Sequence, residues 1–308
     1  MVRTVMIRGA NSGLGKEAAR QFALTDGVEK VFLGCRSAEK AEKARKELVS
    51  TTGKDLFHIV LLDVSDLESV KAAVKDLQEP IDALVMNAGG MGGKSPGELT
   101  SDGVTQMMAS NVLGHALLVN ALLRDGKLLK TVVYAGSEAA RGVPMMGMRR
   151  PVLANSSVDD FKTICNGTVY SKFDPMQVYG AVKYLGAMLM GAMARKHPDV
   201  RFITMSPGGT GGTEVMRDAP AVLRFLFKSF GNSLMPLLGL MHKVETGAGR
   251  YLQAVFDENL RSGAFYASKK WKITGAVVDQ SPIFNDLSNE SFQDNAYEAI
   301  HSFLKKST

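Results

Sequence analysis

Arg8-Gly9-Ala10-Asn11-Ser12-Gly13-Leu14-Gly15 follows directly on the apolar run Val2–Ile7 and leads into Leu14–Leu24, whose apolar residues recur at helical spacing. Strand, glycine turn and helix in immediate succession make a phosphate cradle. Glycine is needed there where φ is positive and where a side chain would block the anion, while the new helix offers unpaired N–H groups. Gly9, Gly13 and Gly15 fit that placement. Glycines also end strands for purely structural reasons, so the flanking strand and helix are what lift this turn above a bare glycine pattern.

Outward from the turn, apolar runs of strand length alternate with helix-period stretches, the pattern of a parallel sheet covered on both faces. Strands are expected near Thr4–Arg8, Lys30–Cys35, Leu56–Leu62, Ala83–Met86, Thr131–Ala135 and Arg201–Met205. Helices are expected over Leu14–Leu24, Ala38–Ser50, Leu67–Leu77, Asp102–Leu123, Gln177–Lys196 and Asn289–Leu304, with Asp66 and Ser101 as N-caps. Two stretches break the rhythm. Gly142–Met176 is rich in Met, Pro, Ser, Asn and Gly and reads as a long flap. Residues 214–241 read as a hydrophobic lid; Arg224, Lys228, Asn232 and Pro236 interrupt its apolar part, Pro220–Met241, well short of a membrane span. Peripheral membrane contact through this lid is the lesser alternative.

Composition narrows the classes. Apolar residues at 45% and charged residues at 22% are ordinary globular values. The 37 Lys and Arg against 31 Asp and Glu leave +6, which suits anionic ligands as well as it suits a plain lysine-rich surface. Basic residues do not interleave with aromatics, so nucleic-acid binding is not expected. Cys35 and Cys165 are too few for a disulfide framework and lack metal-ligand spacing, which points to a reducing compartment and no metal. With a strand at the start, no signal peptide is expected; the default address is cytoplasmic, or an organelle stroma if a transit peptide has been removed.

The spacing G-x-x-x-G-x-G resembles the short-chain dehydrogenase/reductase family, and further motifs along nearly the whole chain carry the same resemblance. It implies a single Rossmann-like α/β domain over 1–308, with a mainly parallel sheet in the order 3-2-1-4-5-6-7. Gly9, Asn11, Ser12, Gly13, Leu14 and Gly15 would bind the dinucleotide. Asp63 and Val64, closing the third strand, resemble the adenine contact, and Asn87-Ala88-Gly89 resembles the turn that lies along the cofactor. Pro207, Gly208 and Thr213 resemble the stretch flanking the nicotinamide. Asn111, Ser137, Tyr179 and Lys183 match the family tetrad. One departure is plain: Arg8 stands where the family usually has Thr.

The dinucleotide is chosen by charge at the end of the second strand. NAD sites set an acidic side chain on the ribose 2′-hydroxyl, whereas a 2′-phosphate is met by a basic one. Gly34-Cys35-Arg36-Ser37 has no acid there, so Arg36, with Ser37 as a further donor, points to NADP(H). Tyr179 and Lys183 are four apart and share a helix face. A phenol has a reference pKa of ~10, and a neighbouring ammonium favours its ionised form. By resemblance Lys183 also holds the nicotinamide ribose, Ser137 bonds the substrate oxygen and Asn111 maintains a proton relay. A second Tyr-x-x-x-Lys, Tyr266 and Lys270, falls on strand or loop and reads as structural. His115, one turn after Asn111, reads as a packed helix residue.

The step from Ser137 to Tyr179, 179 − 137 = 42 positions, is long for the simplest members of the family. Retinol-dehydrogenase-like members and light-dependent protochlorophyllide reductases carry insertions here, and Lys172-Phe173-Asp174 and Ser262–Tyr266 resemble the second group. Those photoreductases have Cys after the Pro-Gly of the sixth strand, where this chain has Gly209. The expected activity is therefore carbonyl–alcohol interconversion on a bulky hydrophobic substrate, with photoreduction of protochlorophyllide as the alternative. A third reading is a non-catalytic NADP(H) sensor. Met145, Met146, Met148, Met176, Met216, Met235 and Met241 concentrate in flap and lid, where they either line a substrate pocket or simply pack. Monomer and homodimer are both open.

Overall fold

The computed structural model describes residues 1–211 and 241–305. Thr213, Met216, Met235 and all of the expected lid except Met241 lie outside these residues.

The strands β1 (Thr4–Arg8), β2 (Lys30–Cys35), β3 (Phe57–Leu61), β4 (Ile81–Met86), β5 (Leu128–Ala135), β6 (Arg201–Met205), β7 (Phe265–Ser268) and β8 (Val277–Asp279) form one sheet. Its order is β3-β2-β1-β4-β5-β6-β7-β8. All pairs are parallel except β7 with β8. The expected seven-strand order holds, and β8 adds an antiparallel edge that three half-buried residues gave no reason to expect.

Period-two alternation on buried strands sends successive side chains to two separate cores. Val5 and Ile7 join Val31, Leu33, Val85 and Val133 on one face. Met6 joins Phe32, Leu84 and Val132 on the other. The first face is covered by α1 (Gly13–Leu24), α2 (Ala38–Thr52) and α7 (Val244–Phe256). The second is covered by α3 (Leu67–Asp76), α4 (Gln106–Arg124), α6 (Pro175–Lys196) and α8 (Glu290–Leu304). Helix α4 is apolar and long enough to cross a membrane by length and composition, but most of it is buried in this second core.

Several expected boundaries move for identifiable reasons. Asp66 caps α3 as expected, accepting from Glu68 N and Ser69 N. Ser101 caps nothing: Gly103, at φ +82°, lets Thr100–Val104 close a tight turn, and α4 starts only at Gln106, capped by Thr105. Within α4, Ala109–Leu113 is a π turn around Asn111. The flap is more ordered than a loop. It contains a 3-10 turn at Pro144–Met146 and α5 (Val158–Cys165), whose Phe161, Ile164 and Cys165 are buried and whose Ser157–Asp160 capping box is complete. Asp174 then caps α6, which runs from Pro175 through both Tyr179 and Lys183.

Helix α4 sits on the chain leaving β3 so closely that a Cβ on Gly114 would overlap the Val64 carbonyl. A Gly114→Ala change gains ~1 kcal/mol of helix propensity but forces backbone apart, which outweighs it. Net destabilisation of about 2 kcal/mol is expected by urea denaturation. An unchanged midpoint would show that α4 can shift freely.

Candidate active site

The strand order reverses between β1 and β4, and the carboxyl ends of the strands there open a crevice, the usual ligand position in such sheets. A cleft of about 700 Å³ occupies it, with walls from the turns after β1, β2, β3 and β4 and from Tyr179, Pro207 and Tyr251. Three of the strands that end at this edge hand over directly to an expected site residue: β1 to Gly9, β2 to Arg36 and β4 to Asn87.

The glycine turn is shaped by close approach. A Cβ on Gly15 would overlap the Gly9 carbonyl and come within 2.6 Å of Asn87 Nδ2. Asn87 Nδ2 donates to the carbonyls of Arg8 (3.3 Å) and Gly9 (3.4 Å), while its Oδ1 accepts from Tyr251 Oη at 3.2 Å. Ser12 is the N-cap of α1, yet its hydroxyl caps no N–H, and the first turn carries no acid. The positive end of α1 therefore faces the cleft uncompensated.

At the end of β2, Arg36 is exposed, lines the cleft and has no hydrogen bond or ion pair among the described residues. Ser37 caps α2, accepting from Lys40 N at 3.3 Å, and Lys40 lines the cleft one helical turn beyond Arg36. Arg8, which replaces the expected Thr, is 5% exposed; Nη1 donates to Gly34 O at 3.1 Å and Nε has no partner. Asp63 Oδ1 accepts from Ser65 N (3.0 Å) and Ser65 Oγ (2.7 Å). Burial pushes this carboxyl up, but the two Ser65 bonds and the charges of Arg8 and Arg36 outweigh it, leaving Asp63 below its ordinary value.

Gly9, Asn11, Ser12, Gly13, Leu14, Val64, Ala88 and Gly89 line the same cleft. Gly15, Ser37, Gly208, Asn111, Ser137 and Lys183 are not among the residues that line it. Asn111 is fully buried: Nδ2 donates to Gly90 O (2.9 Å) and Met107 O (2.8 Å), and Oδ1 accepts from Gly90 N (3.1 Å). Its side chain thus ties the helix to the turn after β4. Ser137 accepts from Ala139 N at 3.2 Å as cap of a 3-10 turn. His115 is packed, as expected, with Nδ1 3.1 Å from Asn111 O, and burial pulls its pKa down to about 3.

Tyr179 and Lys183 share a face, with the ammonium 5.7 Å from the phenol ring centre. Their electrostatics differ from the sequence expectation. Burial pushes the Tyr179 hydroxyl up to about 12, against a lowering hydrogen bond from Ser137, and pulls Lys183 down to about 7. Desolvation prevails over the attraction expected between the two. Lys183 Nζ donates to Ala135 O at 2.9 Å and sits 4.9 Å from the Tyr134 ring centre. Ala139, Val143 and Met148 form a small apolar cluster against Tyr179, Met176 and Ile273. Met145 and Met146 face outward. In the second pair, Tyr266 Oη accepts from Arg261 N at 2.8 Å and Lys270 lies over Trp271 and Phe284, so the two serve separate structural contacts.

Sequence reasoning missed Lys40 and Tyr251. The Arg36–Lys40 spacing of four at a helix start could have revealed the first; nothing local signals the second, which α7 delivers from 164 positions beyond Asn87.

A family model described as short chain dehydrogenase matches residues 3–146. Protochlorophyllide reductase of Chlamydomonas reinhardtii is 30% identical over 314 residues, covering 95% of this chain and 74% of that protein. Retinol dehydrogenase 11 of Homo sapiens is 37% identical over 128 residues, 41% of this chain and 39% of that one. Among solved structures, salutaridine reductase from Papaver somniferum shares the fold with a TM-score of 0.62 at 17% identity, covering 85% of this chain and 99% of that one. An NADPH-bound carbonyl reductase from chicken fatty liver does so at 0.58 and 19%, over 89% and 99%.

Lys183 holds a proton less readily when folded (about 7) than when unfolded (~10.4), so its burial opposes folding fully below pH 7. That penalty fades as pH rises from about 7 toward ~10. Lys183→Met should therefore raise Tm most at pH 6 to 7 and least near pH 10. A Tm gain that grows with pH in thermal-shift scans would contradict the assignment.

Proposed function

The chain belongs to the short-chain dehydrogenase family of oxidoreductases, and on that footing we propose that it is an NADP(H)-dependent enzyme interconverting a carbonyl and an alcohol on a bulky hydrophobic substrate. One observation carries this reading: Tyr179 lines the same cleft as the glycine turn and the uncommitted Arg36.

The residues fit the cofactor. The N–H groups opening α1 and the uncommitted Ser12 hydroxyl would receive the pyrophosphate on a backbone that admits no Cβ at Gly15. Arg36, Ser37 and Lys40 would hold the 2′-phosphate at the start of α2, where the helix N-terminus adds to their charge. Asp63 and Val64 would face adenine, with Asn87, Ala88 and Gly89 along the cofactor. Pro207, Gly208 and Thr213 would flank the nicotinamide. The bound cofactor supplies hydride chemistry.

The protein supplies the proton. Tyr179 Oη, protonated because burial holds its pKa far above neutral, gives its proton to the carbonyl oxygen during reduction and takes one in the reverse direction. Ser137 orients that oxygen by a second hydrogen bond. Lys183, in its ammonium form, would stabilise the phenolate left behind. Asn111, fixed to Gly90 on both edges, holds a water-borne relay behind them. Val143, Met148, Met176 and Ile273 give the substrate an apolar wall beside the phenol.

Light-driven protochlorophyllide reduction is the second reading, favoured by a likeness that runs along 95% of this chain. Against it, Gly209 stands where the photoreductases carry cysteine. Purified protein incubated with NADPH and a panel of aldehydes, ketones and quinones should consume the cofactor in darkness. Turnover confined to protochlorophyllide under illumination would replace the first reading with the second, and tight binding without any turnover would leave a sensor.

Tyr179→Phe should lower kcat by about 10²–10⁴ while cofactor affinity persists; undiminished turnover removes the phenol from the mechanism. Arg36→Glu should weaken NADPH about 10- to 100-fold with little change for NADH. Equal losses for both, measured by fluorescence titration, would defeat the 2′-phosphate assignment.

A further inference from the structure

Behind the cleft, at the carboxyl ends of β5, β6 and β7, lies a buried charged cluster with no part in the chemistry described so far. Glu138 directly follows Ser137 and is 4% exposed. Its Oε2 accepts from Ser206 Oγ at 2.5 Å, and its Oε1 accepts from the Ser268 N–H at 3.1 Å. Arg250 on α7 is equally buried, with Nη1 3.8 Å from Glu138 Oε1. Its Nη1 donates to Ser206 O (2.9 Å), and its Nη2 reaches Gly275 O (2.7 Å), Ser268 Oγ (3.1 Å) and His242 Nε2 (2.9 Å). Ser206 Oγ in turn accepts from Gly208 N at 3.1 Å.

Apolar packing would join three strand ends at least as stably, because a buried ion pair seldom recovers its desolvation cost. Hydrogen bonds add direction. They fix the Ser206–Gly208 segment against the residue next to Ser137, from below, through atoms that do not line the cleft. Within that segment Pro207 does line it. We propose that Glu138 and Arg250 are positioning residues: acting through Ser206, they hold the wall expected along the nicotinamide at a set distance from the wall carrying Ser137 and Tyr179. The proposal rests on the NADP(H) reading above. It deepens that reading by naming the device that sets the donor–acceptor spacing, on which rates depend steeply.

The test compares two ligands. NADPH fills the whole site, whereas 2′,5′-ADP carries the adenosine and 2′-phosphate without the nicotinamide. In the full chain, Ser206→Ala removes one hydroxyl but leaves Glu138 its Ser268 and Arg250 partners, and Glu138→Gln removes the charge at nearly constant size. By calorimetry both variants should bind NADPH about tenfold more weakly and 2′,5′-ADP as the unchanged protein does. The deuterium isotope effect on kcat with C4-deuterated NADPH should rise, because hydride transfer becomes slower relative to release. Parallel losses for both ligands, or a lower Tm with unchanged NADPH affinity and isotope effect, would overturn the positioning role and leave a structural cluster. If the unchanged protein binds 2′,5′-ADP no better than AMP, the 2′-phosphate reading fails instead, and the positioning role is judged by the same comparison of NADH with AMP.

Discussion

The site depends on how closely helix α1 begins behind β1. The Gly15 backbone rests on the Gly9 carbonyl with no room for a single methyl group, and Asn87 secures the same carbonyl from β4. This approach aims the unpaired N–H groups of α1 into the crevice where strand order reverses. Tyr251 then braces Asn87 from α7, so the turn is held from the sheet, from its own helix and from a helix much later in the chain.

A second constraint is electrostatic. The sheet edge buries Lys183 and Tyr179 together, and burial disfavours the charged form of each. Burial of the Lys183 ammonium opposes folding while the group stays charged. The apolar cluster of Ala139, Val143 and Met148 packs against the same phenol. Stability and chemistry thus pull in opposite directions at one helix turn, a common feature of functional sites.

Much of this was legible in the sequence because the signals are local. Apolar runs of strand length located β1, β2 and β6 to the residue, and Asp66 announced the start of α3. Where a local rule competed with a neighbouring one, the reading slipped. Ser101 has the chemistry of a cap, but Gly103 closes a turn first and passes the role to Thr105. Helix α5 was hidden because eight residues hold too few turns for a period to stand out, and its helicity comes from docking Phe161, Ile164 and Cys165.

By itself the sequence determined the order of the first six strands and of six helices, the glycine turn, the Tyr179–Lys183 spacing and the sign of charge after β2, since each depends on residues within a turn or two of one another. Only the tertiary structure decided that Tyr251 braces Asn87 and that Glu138, Ser206, Ser268 and Arg250 meet out of water. It also reversed the expected balance on Tyr179, because desolvation is a property of everything packed around a group and not of its neighbours in the chain.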